Sequence, residues 1–369
     1  MENYTQKEPI RILNVVPNMR AAGIETFIMN VYRNIDRKKV QFDFLVHNEK
    51  KEFYDDEIEK LGGRIYRLSF KDDKNIIKYI KDLNDFFKEH KEYKIVHGHM
   101  QSMMPLYLYI AKKNKVPVRI AHSHNGNYEK TIKGFILHVF SRMDRYVSTN
   151  NWACSNVAGK YLFGNKEYDI IYNGINVEKF KFDLEIRNAV RKENDFNDKF
   201  VIGNIARFEI QKNHKFLIDV FYEFQKINSN AILVLIGEGK LKKKMESYVM
   251  KMNIQDKVKF LGIRKDTERL YQAMDCFLLP SLYEGLPVVG IEAQVSGLHC
   301  IFSDTITKEV QISPNTVFLG IKEKNIEDWK NSIFPEKEIK RNSKINMQKY
   351  DIKSISNLIE RKYIEYEKD

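Results

Sequence analysis

The sequence predicts an α/β protein with two doubly wound parallel sheets. Short apolar runs alternate with stretches of helical periodicity, and the alternation starts afresh past the middle of the chain. Length agrees, since 369 residues exceed the size at which one hydrophobic core keeps growing.

The first series opens with IRILNVV, followed by GIETFIMNVYRNI, whose apolar residues recur at helical spacing. FDFLVH then precedes DDEIEKLG, KIVHGH precedes MMPLYLYIAKK, and VRIAHSH precedes GFILHVFSRMD. Apolar runs this continuous suit strands covered on both faces by crossover helices. The second series starts at FVIGNIA with KFLIDVFYEFQKI behind it, and continues through AILVLIG, LKKKMESYVMKM, KVKFLG, ERLYQAM, CFLLPS, LPVVGIEAQVSG and HCIFSD. Between the two lies a polar stretch, residues 172–199, with a turn signal at Asn173-Gly174 and no core strand. The domain boundary is therefore expected near residue 180, giving domains 1–180 and 181–351. Residues 352–369 read as one amphipathic helix, apolar at Ile355, Leu358, Ile359, Tyr363 and Ile364. No internal repeat or low-complexity segment is visible.

Composition describes a folded protein, 43% apolar and 30% charged. Cys154, Cys276 and Cys300 form no Cys-x-x-Cys pair, which fits a reducing cytoplasm. The N-terminus has no signal pattern and no run approaches the roughly 18 apolar residues of a spanning helix, so any membrane contact is expected to be peripheral. The net charge is +12, and residues 112–145 hold eight basic residues against two acidic ones. Such a patch suits nucleic acid, an anionic membrane or a phosphorylated acceptor, unless its lysines are merely solvated. Nucleic acid is the weakest of these partners, because it needs stacking aromatics on an exposed sheet or helix and these strands read as buried on both faces.

Candidate chemistry concentrates in PSLYEGLPVVGIE, residues 280–292. In a doubly wound sheet, ligands bind beyond the carboxyl ends of the strands, where backbone amides of a glycine-containing loop and a helix N-terminus meet an anion. Gly285, Leu286, Pro287 and Val288 occupy that loop, and Glu292, a turn into the helix, is placed to accept ribose hydroxyls. Glu284 precedes it by eight residues. An earlier strand end delivers Arg207, with Lys212 five residues later, a cation pair suited to a diphosphate leaving group. By themselves two glutamates, or two cations among 62, are common coincidences. His97 and His99 follow a strand and either line a cleft or are hydrogen-bonded locally. No Asp-x-Asp triplet or recognisable ligand spacing occurs, so no divalent metal and no cofactor is expected.

Taken in order, Gly23-x-Glu25, Asn173-Gly174-Ile175 before Phe180, Arg207 with Lys212, Gly237-Glu238-Gly239, Phe260-Leu261-Gly262, Asp275 before LLPS, and EGLPVVGIEA resemble the retaining family 4 glycosyltransferases of the GT-B fold. IAHSHN and AQVSGLHCIFSDTITKEV look like the branch that builds capsular polysaccharides and exopolysaccharides. The resemblance implies two Rossmann-like domains with an interdomain cleft, the N-terminal one binding acceptor, the C-terminal one binding donor, and the last helix packing back on the first domain. It implies transfer of a hexose or N-acetylhexosamine from a nucleotide-diphosphate sugar, UDP foremost, to a glycan or lipid-linked acceptor. It places Glu292 on the ribose, Glu284 near the transferred sugar, Arg207 and Lys212 on the diphosphate, and backbone at Gly262 and Ile263 around the nucleobase. Gly23 would let the first loop approach the donor phosphates. The N-domain active-site histidine would be His122 or His124, with His124 favoured. Two departures stand out: Ala22 replaces the first glycine of the family's pair, and His299 replaces a proline. A sugar-nucleotide 2-epimerase of the same fold and a non-catalytic scaffold are the rivals, and the second has no need of Arg207, Lys212, Glu284 and Glu292 together.

Residues 128–147 carry Ile132, Phe135, Ile136, Val139, Phe140 and Met143 at helical spacing, flanked by Lys130, Lys133, Arg142 and Arg145. Two readings stand even: an interfacial helix on an anionic membrane at the inner face of the cell, or a helix packed on the first sheet.

Overall fold

A computed structural model of the chain describes residues 8–68, 75–124, 126, 132–334, 341 and 347–368. The chain forms two compact units, residues 1–175 with 348–369, and residues 176–347.

In the first unit the strands are β1 (Ile10–Val16), β2 (Val40–Val46), β3 (Ile65–Arg67), β4 (Ile95–Gly98), β5 (Val118–Ser123), β6 (Asn150–Ala153) and β7 (Asp169–Ile170). The helices between them are α1 (Gly23–Asn34), α2 (Asp55–Lys60), α3 (Ile76–Glu89), α4 (Met104–Lys113), α5 (Ile132–Ser141), α6 (Asp144–Val147) and α7 (Asn156–Phe163). The sheet runs β3-β2-β1-β4-β5-β6-β7, all parallel. β2 is buried at every position, as a strand covered on both faces must be.

The second unit carries β8 (Phe200–Ile205), β9 (Ala231–Ile236), β10 (Val258–Phe260), β11 (Cys276–Leu279), β12 (His299–Ser303) and β13 (Thr316–Leu319). Its helices are α8 (Val177–Phe180), α9 (Leu184–Glu193), α10 (His214–Ile227), α11 (Lys242–Lys251), α12 (Thr267–Ala273), α13 (Val288–Val295) and α14 (Ile326–Ser332). The parallel order is β10-β9-β8-β11-β12-β13. Each unit is thus doubly wound, and its strand order reverses once, between β1 and β4 in the first and between β8 and β11 in the second.

The final helix, α15 (Ile352–Lys368), belongs to the first unit. Asp351 accepts from the Ser354 amide at its start. Ile352, Ile355, Ile359 and Tyr363 then enter the core that contains Phe42, Ile95 and Trp152. The unit break falls after Ile175, five residues before the position expected, because α8 packs within the second unit. The Phe180 ring meets Tyr271 and its carbonyl accepts from Ser296 Oγ at 2.8 Å. The polar stretch that follows forms α9, capped by Asp183, whose Arg187 and Arg191 grip Asp275 ahead of β11. Asp275 also accepts from the Val201 amide, so its part is to tie α9, β8 and β11 together.

The apolar stripe of α5 faces outward. Ile132 is 83% exposed and Ile136 60%, with Phe135, Val139 and Met143 about half exposed and Phe140 less so. A helix packed through this stripe onto the sheet is not what forms. Arg142 and Arg145 are half-buried, and the Arg145 guanidinium lies over Tyr146. Residues 128–131, with Lys130, and the side chain of Lys133 lie outside the described residues. Among the described residues, no helix is long and apolar enough to cross a membrane.

Candidate active site

In the second unit, the polar groups singled out from sequence gather at the carboxyl ends of β8 to β11. Three loops interlock there. The Phe208 amide after β8 donates to Glu238 O after β9, and the Gly237 amide donates to Gly262 O after β10. Gly237 has φ 138°, and a Cβ on it would lie 2.1 Å from the Ala206 carbonyl oxygen, so only glycine lets the two loops approach this closely. Gly262 has φ 65°, and the next residue, Ile263, is exposed. Arg207, on the first of these loops, is exposed and makes no ion pair with the described residues.

Lys212 sits in a single 3₁₀ turn ahead of α10 and meets Glu284 at 2.5 Å, both side chains being mostly buried. Gln211 stitches the same two segments, donating through Nε2 to Tyr283 O at 2.8 Å and to Glu284 Oε2 at 3.3 Å. Glu284 therefore neutralises part of the charge expected to face a diphosphate. The ammonium group keeps further hydrogens for another anion.

Leu286 and Pro287 are buried at the entry to α13, with Pro287 as its extended N-cap and Val288 as its first residue. Glu292, one turn on, accepts from Tyr271 Oη through Oε2 at 3.0 Å, and the same hydroxyl lies 3.0 Å from Val289 O. Burial pushes the Glu292 carboxyl up to about 7, against the downward pull of Tyr271. The helices bearing this pair are clamped by Arg341, which donates to the carbonyls of Tyr271, Gln272, Met274 and Ser296 at 2.9–3.1 Å. Gly297 permits the clamp, since a Cβ there would lie 2.2 Å from Arg341 O. Tyr271, Gln211 and Arg341 were not singled out from sequence, because each acts through a contact distant along the chain.

In the first unit, both histidines of AHSHN are buried, and so are His97 and His99. They form two hydrogen-bonded imidazole pairs, His97 with His122 at 3.1 Å and His99 with His124 at 3.0 Å. The His97 and His122 rings are parallel to within 2°, His122 stacks on His124, and His97 lies 4.0 Å from His99 at a tilt of 39°. Tyr363 Oη lies 2.6 Å from His97 Nδ1, and Asn14 Oδ1 lies 3.2 Å from His99 Nε2. Nitrogens of His97, His99 and His122 come within 4.8 Å of one another, near enough to hold a metal ion. Their lone pairs, however, are engaged pairwise, whereas a coordination sphere needs them to converge on one point. Burial lowers all four rings below their ordinary range, His124 to about 3, so the array is neutral. His122 Nε2 has no hydrogen-bond partner among the described residues, whereas the Asn173 side chain lies beside His124. At the start of α1, Ala22 is extended, a conformation open to alanine, and a Cβ on Gly23 would meet nothing within 4 Å.

The comparisons with known proteins cover both units. Residues 21–179 match the family described as Glycosyltransferase Family 4, and residues 185–334 match Glycosyl transferases group 1. EpsF of Bacillus subtilis, named as a glycosyltransferase, is 35% identical over 84% of this chain and 82% of its own. The capsular polysaccharide biosynthesis glycosyltransferase CapH of Staphylococcus aureus is 27% identical over 81% of this chain and 82% of its own. An Escherichia coli galactosyltransferase, whose name gives UDP-Gal as donor and a GlcNAc-diphosphoundecaprenol as acceptor, is 28% identical over 62% of this chain and 63% of its own. Among solved structures, Anabaena HepE in complex with UDP and glucose superposes with a TM-score of 0.75 at 15% identity, covering 97% of each chain. The lipopolysaccharide glycosyltransferase WaaG gives 0.69 at 14%, covering 96% of this chain and 95% of its own. Two family matches in chain order, a relative this similar over most of its length, and two doubly wound parallel sheets make this chain a member of the family 4 and group 1 glycosyltransferases, with the GT-B fold.

Proposed function

We propose that this enzyme transfers a hexose or N-acetylhexosamine from a UDP-sugar to a lipid-linked or glycan acceptor in the synthesis of a bacterial surface polysaccharide. The observation that carries the donor half is the grouping of Arg207, the Lys212–Glu284 pair and Glu292 at the switch point of the second sheet. Fixed cations beside a departing diphosphate stabilise the transition state more than the substrate. Glu292 receives the ribose, Gly262 and Ile263 border the base, Glu284 lies toward the sugar, and the loop from Gly285 to Val288 offers amides to phosphate. The first unit takes the acceptor and presents Gly23 and His124 or His122. UDP as donor is supported by the E. coli relative's name and by the UDP-bound neighbour. Retention of configuration rests on the family resemblance. Catalysis without a divalent metal rests on the cations standing where a metal's charge would act.

The acceptor half rests on α5. An exposed apolar stripe on one helix suits the interfacial region of a bilayer, and the basic residues near it suit anionic lipid. A protein held there meets a lipid-linked acceptor. Undecaprenol-linked acceptors appear in the names of two relatives, from E. coli and Campylobacter jejuni.

The test is a panel of UDP-hexoses and UDP-N-acetylhexosamines, scored by mass spectrometry for release of UDP. One donor should turn over, and Arg207→Ala or Glu292→Gln should reduce its turnover by about a hundredfold, the weight of a charged hydrogen bond or transition-state contact. Folded variants that work at the wild-type rate would remove these residues from the donor site.

A further inference from the structure

Glu292 meets a ribose best when its carboxylate is aimed, and the geometry around it shows how it is held. The Tyr271 hydroxyl is buried and reaches from α12 to two oxygens of α13, Glu292 Oε2 and Val289 O, each at 3.0 Å. Val289 lies three residues before Glu292, so both oxygens are on one face of the helix. The one hydroxyl hydrogen is shared between the two acceptors, so the backbone-fixed Val289 carbonyl sets where Tyr271 Oη sits and, through it, where Oε2 sits. Oε1 has no hydrogen-bond partner among the described residues. The Arg341 clamp grips the carbonyl of Tyr271 itself, and that of Ser296 at the end of α13, so the distance between the two helices is fixed as well.

We propose that Tyr271 is a positioning residue for donor binding: it holds Glu292 by Oε2 and leaves Oε1 to the ribose hydroxyls. The inference rests on the reading of Glu292 as the ribose acceptor.

Its consequence is a pH dependence with a definite sign. Burial raises the Glu292 carboxyl from its ordinary value to about 7, the Tyr271 hydrogen bond lowers it, and the Glu268 charge raises it again. Of the other elements against α13, α8 carries exposed Glu178 and Lys179, and the short turn at 308–310 carries Lys308 and Glu309. β11 and β12 carry the buried thiols of Cys276 and Cys300, which burial keeps neutral. On α12, Arg269 is engaged by Glu193 and Asp266, and on β12 His299 bonds the carbonyls of Asn315 and Ser332, so among the described residues Tyr271 is the side chain that hydrogen-bonds Glu292. A ribose diol donates to the ionised form, so affinity is half its full value near pH 7, approaches full about one unit above, and falls as pH drops below. Removing the phenol hydroxyl raises the carboxyl further, and the midpoint moves up.

The experiment is titration calorimetry of UDP against the full chain from about pH 5.5 to 8.5, with wild type, Tyr271→Phe and Glu292→Gln in parallel. UDP's own phosphate titrates in all three, so the readout is the difference between proteins. Wild type should lose about tenfold in affinity per pH unit below its midpoint. Tyr271→Phe should shift that midpoint up by about one unit, binding about fivefold weaker at pH 7 and recovering at alkaline pH. Glu292→Gln should bind weakly with only the ligand's own pH dependence. A Tyr271→Phe protein with the wild-type midpoint, or one uniformly weaker at every pH, overturns the assignment. If Glu292→Gln keeps the wild-type profile, the ribose role of Glu292 fails instead. Wild type offers a measurement that needs no variant: UDP binding in buffers of different ionisation enthalpy should release a proton beyond that of UDP itself near pH 7. Without that release the inference falls.

Discussion

The contact between Lys212 and Glu284 separates a structural role from a binding role, because the two predict different patterns across one set of variants. The side chains meet at 2.5 Å and are only 15% and 10% exposed. Removing one partner of a buried pair leaves the other charged and desolvated, typically at about 3–5 kcal/mol. Gln211 still reaches Glu284, and some solvent does too, so Lys212→Ala should cost about 3 kcal/mol, the low end of that range. For a unit of this size that lowers the melting temperature by about 6–12 °C. Glu284→Gln leaves an ammonium on a longer, more flexible stem and should cost about 1–2 kcal/mol. The double variant Lys212→Met with Glu284→Gln removes both charges and should melt close to wild type.

Binding should not follow stability. If Lys212 meets the donor diphosphate, Lys212→Ala and the double variant lose UDP affinity alike, by about tenfold or more, although one is destabilised and the other is not. Scanning calorimetry of the full chain measures the first quantity and isothermal titration the second. A double variant that regains both stability and affinity would show that Lys212 only ties the β8 and β11 loops together. A Lys212→Ala protein that melts with wild type would refute the ion pair as a structural tie.

Two glycines should behave oppositely. Gly237→Ala drives a Cβ onto the Ala206 carbonyl at a φ that side chains avoid, and should lower the melting temperature along with activity. Gly23→Ala has open space, so it should melt like wild type and lose turnover only if phosphate approaches that backbone. Turnover should survive excess EDTA, and full loss restored by Mn²⁺ would reopen the His97, His99 and His122 group as a metal site. Flotation with anionic liposomes at low salt should carry the wild-type chain, and changing Ile132, Phe135 and Ile136 to Ser should weaken binding by about tenfold to a hundredfold. Equal flotation of both would detach α5 from the membrane.

Strands buried on both faces declare themselves, which is why β1, β8, β9 and β11 are legible as apolar runs. β6 is not. Its sequence, NNWA, has two polar residues and no apolar run, yet Trp152 is fully buried against α15, a partner two hundred residues later. β3 has three half-buried residues at a sheet edge, too few for a pattern. The stripe on α5 shows the limit of periodicity most plainly. Spacing fixes which side chains share a face, but not whether protein, lipid or water covers it. In the candidate site, Glu284 and Glu292 are legible because eight residues place them across one loop and helix start. Tyr271 and Arg341 carry no local signal, since each contributes through oxygens of other elements.

The histidine array is a case where pattern and chemistry part. The two His-x-His segments carry no recognisable ligand spacing, yet in-register pairing of β4 with β5 brings all four rings together and three of them within reach of one ion. What the sequence cannot show is that the rings pair in plane and that Asn14 anchors one end. Asn14 Nδ2 faces the Asp43 carbonyl, which leaves Oδ1 to accept from His99 Nε2. His99 Nδ1 then accepts from His124 Nε2, and the Asn173 side chain lies beside the His124 ring. A neutral imidazole nitrogen suits a sugar hydroxyl and not a phosphate, while the ammonium and guanidinium groups of the second unit suit the reverse. Burial keeps four imidazoles uncharged at the switch point of the first sheet, while Arg207 stands in solvent at that of the second, so the two sheets end in opposite chemistry, neutral nitrogens in one and a guanidinium in the other.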